Sequence, residues 1–147
     1  MAKVKPVYEV NDEFNAMAQK IVDKYPEHFS GIEVSKVCCV NIINNPRPET
    51  KNKLWEDKGV PMPIAMHCPY AWYIILYSSD WDEFGESTRL LLVSEILHSI
   101  ARDEKDEGKV IPCDIKGYSS MFRTFGTIDY LEESDMPNIL EEEIKWK

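Results

Sequence analysis

Apolar residues recur at helical spacing near the start of the chain, at Phe14, Met17, Ala18, Ile21, Val22 and Tyr25. Asn11 stands just ahead of them, where its side chain can accept from a helix's first free amides. The spacing predicts an amphipathic helix over residues 12–25, closed by Pro26. Val37-Cys38-Cys39-Val40-Asn41-Ile42-Ile43 predicts a strand, ended by the turn-rich Asn44-Asn45-Pro46-Arg47-Pro48. Residues 44–69, punctuated by Pro46, Pro48, Pro61, Pro63 and Pro69, are expected to be irregular, forming a flap or a third short strand. Tyr70-Ala71-Trp72-Tyr73-Ile74-Ile75-Leu76-Tyr77 is aromatic and β-branched, and predicts a second clear strand. Beyond Gly85, Leu90 to Val93 and Ile96, Leu97, Ser99, Ile100 and Ala101 make a helix apolar nearly all round, which must be buried. Asp114 is placed to cap a last helix with an apolar face of Ile115, Tyr118, Met121, Phe122 and Phe125, stopped by Gly126. No repeat interrupts this order. It defines an α+β fold, with one domain over 1–128 and an acidic C-terminal tail over 129–147, which Ile139, Leu140, Ile144 and Trp146 equip to dock on the body.

Composition narrows the function classes. With 147 residues, 44% of them hydrophobic, the chain can build one proper core. No stretch reaches the ~20 apolar residues of a membrane-spanning helix. Met1-Ala2-Lys3-Val4-Lys5-Pro6 is not followed by an apolar run, so secretion is not expected. Cys38 and Cys39 are adjacent in a strand and point to opposite faces, which speaks against a disulfide framework. With Cys68 they read as packing residues, and the expected location is the cytoplasm of a host cell. A net charge of −9 opposes direct nucleic-acid binding and suits a basic protein partner. The acid run includes Glu132, Glu133, Glu141, Glu142 and Glu143; it reads first as a solvated face and more narrowly as a partner-binding or nucleic-acid-mimicking surface.

Candidate chemistry centres on Ser94-Glu95-Ile96-Leu97-His98. This run is one residue away from H-E-x-x-H, in which two histidines on one helix face hold zinc and the glutamate activates the metal-bound water. Serine stands at the first ligand position, and a protonated hydroxyl is a poor zinc donor. A glutamate and a histidine on a buried helix need partners or a task, because unpaired burial is costly. His67-Cys68 lies in the proline-rich loop and is a weak metal candidate; His28 reads as an exposed loop residue. Phosphate-binding G-x-x-x-x-G-K-[ST] and G-x-G-x-x-G loops are absent. Pro112-Cys113 lacks the second cysteine of a zinc deaminase, with Lys116 in its place. A Cys113–His98 nucleophilic pair stays open, although no oxyanion hole is legible.

The order of strand, Trp81-Asp82-Glu83-Phe84, buried E-x-x-H helix, and Gly108-Lys109 to Pro112-Cys113-Asp114 before another helix resembles the compact zincin-like phage metallopeptidases. Tyr25-Pro26-Glu27-His28-Phe29 and Gly31 to Val37 are similar to that family's N-terminal part, and the resemblance spans about residues 10–126. It implies zinc held by two helix histidines and a third from a P-H-D segment. His98 then matches the second ligand and Glu95 the general base, while Ser94 and Cys113 depart at the first and third. Cysteine thiolate is a good zinc ligand; serine is not. Zinc is therefore expected to be weakly held or absent.

These residues support three function classes. The favoured one is a metallopeptidase-like scaffold with a degraded zinc site, acting as an interaction or inhibitory module on a host or phage protein. The second is an active zinc peptidase in which His98 and Cys113 bind metal, Glu95 is the base, and Tyr73, Ile75 and Tyr77 lie on a strand that pairs with an extended peptide. The third is an acidic nucleic-acid mimic.

Overall fold

A computed structural model describes residues 5–48, 50, 53–100, 110–111, 118–126, 128, 130 and 136–147. In chain order the elements are β1 (Tyr8–Val10), α1 (Asp12–Lys24), β2 (Val37–Ile42), β3 (Trp55–Gly59), β4 (Trp72–Tyr77), α2 (Ser78–Trp81), α3 (Glu86–Leu97) and α4 (Ser119–Phe125). Short 3₁₀ turns occupy Val34–Lys36 and Ile64–Met66. The fold is mixed α+β, with one four-stranded sheet ordered β1-β2-β4-β3. β2 and β4 run parallel at the centre, and β1 and β3 pair antiparallel on the outside.

α1 forms where its periodicity places it. Asn11 Oδ1 accepts from Phe14 N at 3.0 Å, and the Asn11 amide donates to Asn41 Oδ1 at 3.1 Å, so one cap also ties the helix to β2. Phe14, Ala18 and Ile21 face inward and are fully buried. α3 is the centre of the molecule. Leu90, Leu91, Leu92 and Val93 are each no more than 1% exposed, which requires packed neighbours on every side of the helix. Burying four such side chains contributes on the order of 1.5–3 kcal/mol each before entropy is counted.

Strand periodicity divides the sheet into unlike faces. Val37, Cys39, Trp55, Trp72, Ile74 and Leu76 join α1 and α3 in the main core. The register places Cys38, Val40 and Ile42 opposite Tyr73, Ile75 and Tyr77 on the other face, and Tyr8 and Val10 extend that row. The two adjacent cysteines therefore face opposite ways, and both are buried.

Several expectations need correction. β1 was not foreseen: it has three residues, all exposed, so no burial pattern marks it. β3 supplies the short strand within the proline-rich stretch, although Glu56, Asp57 and Lys58 make it polar. β4 has β2 on one edge and β3 on the other, so no backbone is free there to receive a peptide strand. Tyr73, Ile75 and Tyr77 are half-buried side chains on the open face instead. The last helix begins at Ser119, because Tyr118 has extended backbone (φ −108°, ψ 128°). Phe122 is 54% exposed and so lies off the apolar face to which Met121 belongs. Gly126 ends the helix as expected, at φ 76°, a left-handed value that suits a residue without Cβ. Asp114 and Ile115 lie outside the described residues.

The tail segment 136–147 lies against the body. Ile139 is fully buried. Lys24 Nζ donates to the carbonyls of Leu140 (2.6 Å) and Glu142 (2.8 Å). The Tyr25 hydroxyl sits 2.6 Å from the Ile139 carbonyl and accepts from Ile144 N at 3.2 Å. No helix among the described residues is long and apolar enough to cross a membrane.

Candidate functional site: two histidines beneath the C-terminal segment

The last turn of α3 carries Ser94 and Glu95, and His98 is its C-terminal cap residue. The three residues expected to act together are directed into separate environments. Ser94 is fully buried. Its hydroxyl donates to the Leu91 carbonyl at 2.7 Å and lies 3.7 Å from Met121 Sδ. A hydroxyl bonded back onto its own helix and packed on a thioether is not presented to a metal. The zinc site implied by the resemblance needs a donor at that position, and the residue present does not fit it.

Glu95 accepts from the Tyr130 hydroxyl at 2.5 Å. Burial pushes the Glu95 carboxyl above its ordinary range, against the opposing pull of the Tyr130 bond and the charge of Lys53. Burial likewise pushes the Tyr130 phenol well up, with the nearby Glu95 charge adding to it. A carboxyl closed off by a phenol differs from a base open to a metal-bound water. Tyr130 escaped the sequence reading. The signal for it was general: a carboxylate on a buried helix must find a donor.

His98 has a different partner. Its Nδ1 lies 2.7 Å from the Ser94 carbonyl. A carbonyl can only accept, so Nδ1 carries a proton, and in the tautomer with that single proton the lone pair lies at Nε2. That Nε2 faces Nε2 of His28 at 3.0 Å. Ser120 Oγ lies 3.3 Å from the same His28 nitrogen. His28 is thus half-buried in a functional-looking contact, not an exposed loop residue. It follows α1 in the turn that Pro26 starts, and the fully buried Phe29 beside it fixes that turn in the core.

Aromatic rings enclose the pair. Trp146 stacks on His28 with centroids 4.7 Å apart and planes at 11°. Phe29 meets His98 edge-on at 5.3 Å, and Tyr118 stacks on His98 at 5.8 Å. Phe125 and Tyr25 pack edge-on against Trp146. Trp146 Nε1 is buried with no acceptor among the described residues. A cleft of about 590 Å³ opens beside His28, lined by Lys24, Tyr25, Glu27, His28, Lys145 and Trp146 among others. The sequence holds only three histidines, and two of them meet here across 70 positions. Nothing in linear spacing joins residues so far apart.

Cys113, Glu132 and Glu133 lie outside the described residues. Glu141, Glu142 and Glu143 are exposed, with Glu143 reaching Lys24 at 3.8 Å. Cys68 sits beside the Tyr73 hydroxyl at 3.7 Å. Among the described residues no group of three or more His, Cys, Asp or Glu side chains is arranged to hold a metal. Comparison with protein-family models, curated proteins and solved structures gives no match for the chain.

Proposed function

We propose that the chain is a metallopeptidase-like scaffold that works by binding another protein and not by catalysis. The observation that carries this reading is the engagement of both residues a zinc peptidase would need. The Ser94 hydroxyl is bonded to its own helix, and the Glu95 carboxyl is closed by Tyr130. What supports binding is the sheet's second face. Tyr8 and Val10 are 51% and 59% exposed, and they continue into the half-buried Val40, Ile75, Tyr73 and Tyr77. Apolar side chains in adjoining rows on an outer face are a recognised mark of a protein contact. The net charge of −9 favours a partner that is basic around its apolar contact. A host or phage protein of that character fits the reading.

The zinc-peptidase alternative makes the opposite demand on one residue. Purified chain is incubated with zinc and a mixed library of peptides, alongside Glu95→Gln, and cleavage is followed by mass spectrometry. The expected result is no cleavage above the background of the Glu95→Gln protein. Cleavage by the parent that disappears in folded Glu95→Gln overturns the binding reading, since a general base contributes about 10²–10⁴-fold to turnover.

A further inference from the structure

We infer that His28 and His98 form the core of a divalent transition-metal site that joins the turn after α1 to the end of α3. This ligand pair differs from the one the family resemblance implies, which runs through position 94. It also stands apart from the partner-binding reading, and either can fail without the other.

Geometry is the first support. Two nitrogens bound to one metal at ~2.0–2.1 Å lie about 2.9 Å apart at a right angle and about 3.3 Å apart at the tetrahedral angle. The two Nε2 atoms are 3.0 Å apart, near the right-angle value. Nickel(II), copper(II) and zinc(II) all take imidazole nitrogen, so the pair fits this class of ion without selecting within it. Orientation is the second support. The Ser94 carbonyl holds Nδ1–H of His98, which is how protein metal sites commonly fix a histidine so that its Nε2 lone pair faces the ion. The Nε2 proton of His28 is the one that the metal displaces, and it leaves to solvent.

Surroundings are the third. Phe29 and Tyr118 pack on His98 and Trp146 packs on His28, shielding the pair, while the cleft that His28 and Trp146 line is the entry path. The remaining coordination positions go to water or a small anion from that cleft. The buried Trp146 Nε1–H, which lacks an acceptor among the described residues, is a donor that such a ligand would satisfy. Because Trp146 stacks on His28, a metal that immobilises the imidazole also holds the segment carrying Trp146.

The test is calorimetric titration of nickel(II) into the full chain with its thiols reduced, repeated for His28→Gln and His98→Gln. One equivalent is expected to bind the parent. Removing a direct ligand should weaken binding at least as much as removing a supporting partner, which costs about 10–100-fold. His67→Gln and Cys68→Ser, away from the pair, should titrate like the parent. Absence of nickel binding by the parent overturns the proposal, and so does binding that survives either substitution. Where a glutamine variant fails to fold, electron paramagnetic resonance of the copper(II)-loaded parent, its accessible thiols first alkylated so that they cannot reduce the ion, decides the matter. Two imidazole nitrogens are expected around the copper, and one or none overturns the site.

Discussion

The same strands present two unlike faces, one closed against α1 and α3 and the other left partly open. On the helix side, Trp55, Trp72, Ile74 and Leu76 are each 5% exposed or less. On the outer side, their neighbours Tyr73, Ile75 and Tyr77 are half-buried, and the row ends in the exposed Tyr8 and Val10. The outer face is mixed and only partly open: Cys38 and Ile42 are buried there, and Glu56 and Lys58 stand in register with Ile75 and Tyr73. The edges differ in the same sense. β3 carries Glu56 and Lys58 on the outer side of its edge, whereas β1 offers Tyr8 and Val10 with one acid, Glu9, between them.

Adjacent residues in β4 give the sharpest way to break that contrast. Ile74→Ala removes a fully buried side chain beneath α3 and should cost about 2–5 kcal/mol. Ile75→Ala, one position along, should cost less than about 1.5 kcal/mol, because its side chain is already half in solvent. Urea denaturation of the two variants measures the difference. Equal losses would mean that the outer face is structurally closed and does not await a partner.

The polar contact on α3 tests the closed side in another way. Tyr130→Phe removes the donor to Glu95 and leaves a buried carboxyl without it, which should cost about 1–3 kcal/mol at neutral pH. Glu95→Gln keeps an acceptor for Tyr130 while removing the charge. Since burial raises the folded-state pKa of Glu95 above the ordinary 4.5, the unfolded chain releases this proton before the folded chain does. Stability from this group is therefore highest at low pH and is lost as pH rises from about 4.5 through the folded value. Thermal unfolding should accordingly show Glu95→Gln gaining on the parent between pH 4 and pH 7. A difference that stays flat would mean that the Tyr130 bond offsets burial, and Glu95→Gln losing ground as pH rises would mean that the bond governs the carboxyl.

How much of this was legible in sequence depended on whether the deciding contacts were local. α1 was, because Asn11 and the inward Phe14, Ala18 and Ile21 are set by helical spacing alone. The burial of α3 was, because apolar residues all round a helix leave no solvent side. β1 and β3 were hard to read, since exposed or charged short strands are held by backbone pairing with β2 and β4 and not by a hydrophobic rhythm. The helix start at Ser119 was misplaced because hydrophobic spacing through Tyr118 is equally compatible with an extended residue preceding a helix. In the candidate site, the E-x-x-H run located Glu95 and His98, yet their actual partners, Tyr130 and His28, lie 35 and 70 residues away. No spacing rule reaches that far, and tertiary packing alone joins them.

The open face makes a claim about partners that a substitution on it should expose. Tyr77→Asp places a charge in the outer apolar row, on a half-buried residue with none of the core packing of Leu76. Binding of a protein partner recovered with the parent should fall by about tenfold or more, since a desolvated unpaired charge at a contact is costly. Circular dichroism should at the same time show the fold retained. Unchanged affinity would move the contact away from this face.

The smallest effect is expected at the exposed acids of the tail, and it separates apolar contact from electrostatic attraction. Glu141, Glu142 and Glu143 are exposed, and the Glu143–Lys24 pair is long at 3.8 Å, with the glutamate 89% in solvent. Such a pair contributes little to folding in water, so replacing all three by Gln should change stability by less than about 1 kcal/mol. The tail stays docked because its anchors are backbone carbonyls bonded to Lys24 and Tyr25, and the buried Ile139, none of which the substitutions touch. A basic partner responds differently. Its association rate should drop and become less sensitive to salt, because screening over about 8–10 Å acts on charges that the variant no longer carries. Association kinetics of parent and variant at two ionic strengths read this directly. Matching salt dependence in both would leave the apolar face as the determinant of binding and remove the acidic tail from the interface.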